Sequence, residues 1–340
     1  MDLYSQFPGK VVETNNRFKH VMAIALDPRT NFREGIIRCI TNREGDVAVK
    51  GFTDRSVLAK VKGDSLEHFE ISEQLKIKNE KEIVNNLLNT GHDFIGLEDP
   101  DIWIDEETDS LHLYFTLPMI GRRNENGEKI TDTLIHLGHA VGKNLDSLTM
   151  TEPSLMADKN THGAKELSIA PINRQGFRFN LVESSFEGEV YKLSTVRIAI
   201  AEDMGKPWKF GETIFNPEVW KIPWIGGHAS PGPLFPKTFI DVGKDKLLGI
   251  INGREANKRV GDETLYGIFS VGLFIYNYEN GKIDWVSHEP FIRDSEARTI
   301  TFASQFVETG KGEGILYSHV DDSFVRAYGL KAEFIKDLLP

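Results

Sequence analysis

The sequence predicts an all-β fold, a five-bladed β-propeller, on three observations: strand-like runs along the whole chain, no strand–helix alternation, and a loose repeat. The runs are short, rich in β-branched or aromatic residues, and bounded by Gly, Asn, Asp and Lys turns. Examples are residues 21–26, 111–115, 196–200, 247–251, 273–278 and 314–318, with Glu279-Asn280-Gly281-Lys282 as a typical turn. Only residues 73–89 and 331–339 carry a helical pattern, so a doubly wound parallel sheet is excluded. In the repeat, a strand leads into an acidic or polar turn and then an apolar or aromatic residue. It reads Asp64-Ser65-Leu66-Glu67-His68-Phe69, Asn144-Leu145-Asp146-Ser147-Leu148 and Glu202-Asp203-Met204-Gly205-Lys206-Pro207-Trp208. Units roughly 60–70 residues apart give about five blades over this length. No Pro-, Gly- or Ser-rich linker divides the chain, so residues 1–340 are expected to form one domain.

A propeller directs the start of each inner strand toward a central channel, so residues distant in sequence converge there. Composition limits what they meet. The formal net charge is −11, which disfavours nucleic acid and anionic membranes, since both demand clustered Lys and Arg. A neutral sugar carries no such penalty. Cys39 is the only cysteine, which excludes an intrachain disulfide, and its setting in Ile36-Ile37-Arg38-Cys39-Ile40 reads as a buried strand position. The N-terminal residues lack a basic and then apolar leader, and no apolar run reaches the ~18 residues of a membrane helix. A cytoplasmic protein is expected.

The stretch richest in chemistry is Gly96-Leu97-Glu98-Asp99-Pro100-Asp101-Ile102-Trp103, just before the strand Leu111-His112-Leu113-Tyr114-Phe115-Thr116. Clustered carboxylates raise one another's pKa and so make general acids. Asp-Pro is equally a common way to begin a turn.

Several ordered segments give this cluster meaning. They are Glu98-Asp99-Pro100, Lys165-Glu166-Leu167-Ser168-Ile169-Ala170-Pro171, Ile225-Gly226-Gly227-His228-Ala229-Ser230-Pro231, Glu289-Pro290-Phe291-Ile292 and Tyr317-Ser318-His319-Val320-Asp321-Asp322. In that order the chain resembles glycoside hydrolase family 130, the five-bladed mannoside phosphorylases and related hydrolases. The resemblance implies an oligosaccharide substrate and no cofactor or metal, and it is compatible with a homo-oligomer. It makes Asp99 the general acid and Asp322 a binder of sugar hydroxyls, a task suited to a carboxylate's charge-assisted hydrogen bonds.

The departures from the family pattern point to hydrolysis. Asp101 stands where the signature has Arg, Glu183 falls where a second Arg is expected, and Asn252-Gly253 replaces His-Gly. Lys165 is the main cation retained. Exchanging cations for carboxylates repels phosphate and favours activation of water. Glu183 is the first candidate base and Glu166 the second, for an inverting mechanism with carboxyls roughly 6.5–9.5 Å apart. The substrate is expected to be a β-mannoside-like oligosaccharide. Phosphorylase or mannosyltransferase activity on the same fold, or glycan binding without cleavage, are the alternatives.

Further substrate contacts are expected from His228, in its Gly-rich turn, and from Arg38 and Arg43, assigned to the first inner strand. Trp103, Trp224 and Tyr114 offer stacking faces, and Arg254 follows a turn that reaches the funnel. For each aromatic the competing role is core packing. For each Arg it is a surface ion pair. His136 and His139 lack a third ligand nearby, so zinc is not expected.

Overall fold

The computed structural model describes all residues except 1–2, 89–90, 123–130, 159–162, 188–191 and 262. Five antiparallel blades form an all-β propeller, each begun by an inner strand. These inner strands are His20–Leu26, Glu98–Asp105, Lys165–Ser168, His228–Leu234 and Thr301–Gly310, opening blades I to V. Blade V takes its fourth strand from the N-terminus. Tyr4–Gln6 pairs antiparallel with Phe324–Lys331, in the register Tyr4↔Leu330, Ser5↔Gly329 and Gln6↔Tyr328. That pairing closes the ring and covers an edge that would otherwise present unpaired backbone groups.

The buried apolar residues collect chiefly in five large clusters, one at each blade interface. Tyr114 and Leu137 of blade II meet Val182, Ala199 and Trp208 of blade III. Leu181, Val196 and Phe215 of blade III meet Ile251, Phe274 and Tyr276 of blade IV. Similar packing joins IV to V, V to I and I to II. Burial between blades rather than on the axis leaves the axis available to polar groups. Cys39 is fully buried at the I–V interface, and burial pushes its thiol up to about 12.

The repeating acidic turn is the hairpin from the third to the outermost strand. Residues 64–68, 143–148 and 202–208 connect those strands in blades I, II and III. The helices are shorter than the sequence pattern predicts: Glu80–Leu87 and Ala332–Lys336. Glu73 and Gln74 end the strand Phe69–Gln74, and Asn89 lies outside the described residues. Tertiary pairing overrides helix propensity here, because the amide of Leu75 donates to Leu58 O (2.9 Å) and that of Lys78 to Leu148 O (3.0 Å). Among the described residues no helix is long and apolar enough to cross a membrane.

One backbone device recurs in every blade and shapes the axis. Each inner strand slips register against its neighbour near the axis: between Met22 and Ile24, Glu98 and Asp101, Lys165 and Leu167, Pro231 and Leu234, and Ala303 and Gln305. These are β-bulges, which bend a strand and re-aim a side chain. In blades I, II and III the bulged residue is left-handed without being glycine: Ala23 (φ 49°), Asp99 (φ 45°) and Glu166 (φ 53°). Such backbone costs about 1–3 kcal/mol and persists only where its surroundings enforce it. Asp99 also precedes Pro100, a residue that needs no ladder hydrogen bond and so fits a bulge.

Candidate active site

The bulges form the floor of a funnel. Above them opens a cavity of about 320 Å³, whose wall includes Arg38, Glu98, Asp99, Lys165, Glu166 and Asp322. This lies near the lower end of the roughly 300–1,000 Å³ typical of small-molecule sites. Below the floor, Ala23, Asp99, Asp101, Glu166, Gly232 and Ser304 enclose an axial void of about 20 Å³.

Arg38 organises the acidic side. It lies on the second strand of blade I, Glu34–Glu44, as does Arg43, and not on the inner strand to which the sequence pattern assigned both. Its Nη1 donates to Asp99 Oδ1 (2.8 Å), Nη2 to Glu98 Oε1 (2.5 Å) and Nε to Ser56 Oγ (3.2 Å). Burial pushes the Glu98 carboxyl up to about 7 against the pull of Arg38. Glu166 hydrogen-bonds to Asp99. Burial first, and then the Asp99 charge, raise Glu166 well above the carboxylate range, so Glu166 is the protonated member and donates to Asp99.

Glu183 occupies a different layer. It is buried (3% exposed) behind the wall, on the second strand of blade III, Arg178–Glu187. Lys165 Nζ approaches its Oε1 (3.5 Å) and His228 Nε2 its Oε2 (2.9 Å). Burial alone would raise this carboxyl, but His228 and Lys165 outweigh it and hold Glu183 well below the usual range. Lys165 is raised in turn: Glu183 and Glu166 overcome the effect of burial. His228 is pushed down to about 4 by burial, and is therefore neutral near pH 7. Lys165 and His228 reach the cavity while Glu183 anchors both from behind.

A type I′ turn separates the two C-terminal acids into two tasks. Asp321 (φ 49°) and Asp322 (φ 48°) are both left-handed, and the Ser323 amide closes the turn onto Val320 O (2.9 Å). Asp321 Oδ1 accepts from the amides of Thr299 (2.9 Å) and Ile300 (3.0 Å), and its Oδ2 from that of Arg298 (2.9 Å). It thereby fixes the entry to the inner strand of blade V. Asp322 instead lines the cavity, with His319 Nε2 at 3.2 Å from its Oδ1. Burial would raise Asp322, yet His319, Arg38 and Arg43 keep it below the ordinary value. Arg43 grips Asp54 through two bonds (2.8 and 2.7 Å) and donates to Asp322 O (2.7 Å), tying blade I to this turn. Arg43 supports the wall from outside the cavity.

Apolar and aromatic side chains complete the wall. Val47, Phe52, Tyr266, Phe269, Ile300 and Phe302 line it, and Arg254 stacks on Tyr266 (4.4 Å) and Phe269 (5.2 Å). The sequence pattern did not single out Val47 and Phe52, because they sit in a connecting loop with no strand periodicity. Glu98 and His319 were visible only as members of longer motifs.

Several residues expected at the site lie elsewhere. Trp103 borders a groove between blades II and III, where Arg178 covers its ring (5.4 Å) and His112 meets its edge. Asp101 lies beyond Pro100 on the axial void, with burial pushing it up to about 7. Trp224 and Tyr114 are core residues.

No known family profile matches the chain, and no characterised protein sequence does. Solved structures do. A glycosyl hydrolase from Bacteroides ovatus is 17% identical with TM-score 0.62, over 94% of this chain and 85% of its own. The β-1,2-mannobiose phosphorylase of Listeria innocua, complexed with β-1,2-mannobiose, is 14% identical with TM-score 0.62, over 99% and 96%. A GDP-Man-dependent mannosyltransferase from Leishmania mexicana is 10% identical with TM-score 0.54, over 95% and 88%. At these identities the likeness is one of fold.

Proposed function

We propose that this chain is a carbohydrate-active enzyme that hydrolyses glycosidic bonds, acting on a β-mannoside-like oligosaccharide with Asp99 as general acid. The observation that carries the reading is the buried Asp99–Glu166 pair at the floor of a cavity lined by both carboxylates and aromatics. A pyranose ring has the matching character: hydroxyls for the carboxylates and C–H faces for the aromatic wall. The pair holds one proton between its members, and that proton leaves through Asp99 toward the glycosidic oxygen. The neighbouring folds named above come from enzymes of sugar chemistry, which supports the same class.

Hydrolysis is favoured over phosphorolysis by how three cations of the site are already engaged. Arg38 is bonded to Glu98 and Asp99, Lys165 faces Glu183, and Arg43 is held by Asp54. An entering phosphate would have to displace carboxylates and would meet Glu166 and Asp322 on the wall. Asp101 and Glu183 lie beneath and behind the cavity, so neither meets an entering phosphate on the wall. The closeness of Asp99 and Glu166 also matters. Carboxyls that share a hydrogen bond are far nearer than the roughly 6.5–9.5 Å that admits an attacking water, so Glu166 serves the acid step.

The test is a screen of manno-oligosaccharides of several linkages with and without phosphate, reading free mannose and mannose 1-phosphate. Free mannose at a rate indifferent to phosphate is expected. Mannose 1-phosphate as the main product would reassign the chain to phosphorolysis, and no product from any linkage would leave a glycan-binding propeller.

A further inference from the structure

Inversion by hydrolysis needs a carboxylate that faces the cavity, is ionised, and is free to take a proton from water. Most acids of the site fail one of these conditions. Glu183 is behind the wall, Glu166 is tied to Asp99, Glu98 shares Arg38, and both oxygens of Asp54 are held by Arg43. Asp322 meets all three. It lines the cavity, His319 approaches only its Oδ1, and its Oδ2 takes no hydrogen bond among the described residues.

We propose that Asp322 is the general base that activates the attacking water, and that His319 is the positioning residue that aims it. The proposal rests on the hydrolytic reading above. Its physical root is the bulge of blade I. The register slip there turns the Ala23 amide away from the strand ladder and toward His319 Nδ1, to which it donates at 3.4 Å. A ring nitrogen that accepts a hydrogen bond carries no proton, so the ring proton sits on Nε2, 3.2 Å from Asp322 Oδ1. Phe302 stacks on the ring at 5.0 Å and 14°, and the ring is buried (5% exposed), which fixes its plane. With Oδ1 held, Oδ2 is the oxygen left for water.

The charged groups around Asp322 fit the task. Arg38 and Arg43 come from the second strand of blade I, Asp54 from its third, and His319 from the strand that precedes the turn. Arg38 bonds to Asp99 while its charge also acts on Asp322, so one guanidinium is coupled to both acid and base. In the reaction, water adds its oxygen to the anomeric carbon and gives one proton to Asp322. The bond from that carbon to the glycosidic oxygen breaks, its electron pair goes to the oxygen, and the proton of Glu166 passes to Asp99 and from Asp99 to that oxygen. Solvent then returns Asp322 and the Asp99–Glu166 pair to their starting states.

The experiment uses 4-nitrophenyl β-mannoside, whose leaving group needs little protonation, so the base step is read almost alone. Asp322→Ala should lower kcat about 1,000-fold with KM changed by less than about threefold. Azide, which attacks without a base, should restore at least about tenfold of the rate and yield a glycosyl azide. A large rise in KM with kcat kept, or no effect of azide, would make Asp322 a hydroxyl-binding residue and overturn the proposal. For His319, Phe removes the donor while Gln can accept from Ala23 and donate to Asp322. The acidic limb of kcat/KM should move to higher pH in His319→Phe, because Asp322 loses a bond that favours its ionised form. His319→Gln should recover at least about tenfold over His319→Phe. An unmoved limb, or equal loss in both variants, removes the positioning role. If the wild-type chain cleaves no glycoside, hydrolysis fails and the base with it. Nitrogen NMR of His319 then still decides its tautomer, and a proton on Nδ1 would refute the aiming contact.

Discussion

Blades I and V carry the same inner-strand bulge as blades II and III, yet only the latter pair put carboxyl groups at it. Ala23 and Ser304 fill the position in blades I and V, where Ala23 turns its amide to His319 and Ser304 donates its hydroxyl to Ile24 O at 3.3 Å. Asp99 and Glu166 fill it in blades II and III and meet over the axis. The backbone device is therefore a property of the propeller, whereas the chemistry depends on what one residue per blade carries. Left-handed backbone is costly for an acidic residue in a strand, so two such residues side by side mark where stability has been spent on a site.

The largest expected effect from breaking this comparison is at Asp99. On a natural oligosaccharide, whose leaving oxygen needs a proton, Asp99→Asn should lower kcat by about 1,000-fold or more, with the melting temperature nearly unchanged. Activity near wild type in steady-state assays would remove Asp99 from the acid step. Asp321→Ala comes next. It deprives three amides of their charged acceptor, and denaturant unfolding should show a loss of about 2 kcal/mol. A neutral result would mean that water replaces the carboxylate.

Glu166→Gln sharpens the comparison through pH. The folded-state pKa of Glu166 is raised, so its contribution to stability is complete below the unfolded value. That contribution is lost as pH rises toward the folded value, because only the unfolded chain ionises freely. Gln never ionises and can still donate to Asp99. The variant should therefore gain stability relative to wild type as pH increases above the ordinary glutamate range, followed by thermal melts across pH. A difference independent of pH would show that Glu166 is not protonated in the fold. Ala23→Gly should have the smallest effect. Relief of the left-handed strain and the entropy of an added glycine nearly cancel, leaving a change within about 1 kcal/mol. A larger loss would assign weight to the buried methyl group.

Much of the framework was legible from local pattern. Runs such as Val196-Arg197-Ile198-Ala199-Ile200 and turns such as Asp203–Lys206 carry their meaning in period and turn chemistry, and both are local properties. The acid cluster at Glu98-Asp99-Pro100 was legible too, since a bulge with Pro leaves a trace in sequence. Glu183, Trp103 and Asp101 show where that legibility ends. Each is a chemically sensible residue, and each lies behind, beside or beneath the cavity rather than in it.

The amino-acid order alone thus determined an all-β chain of repeating hairpins, the place of its densest carboxylates, and a net negative charge. Only the tertiary structure decided which acids share a chamber. In a strand, neighbours point to opposite faces, and one inserted residue reverses every side chain beyond it. Five such insertions around a ring, together with one turn of doubled left-handed aspartates, select Asp99, Glu166 and Asp322 from many candidates. That selection depends on blades brought together from opposite ends of the chain.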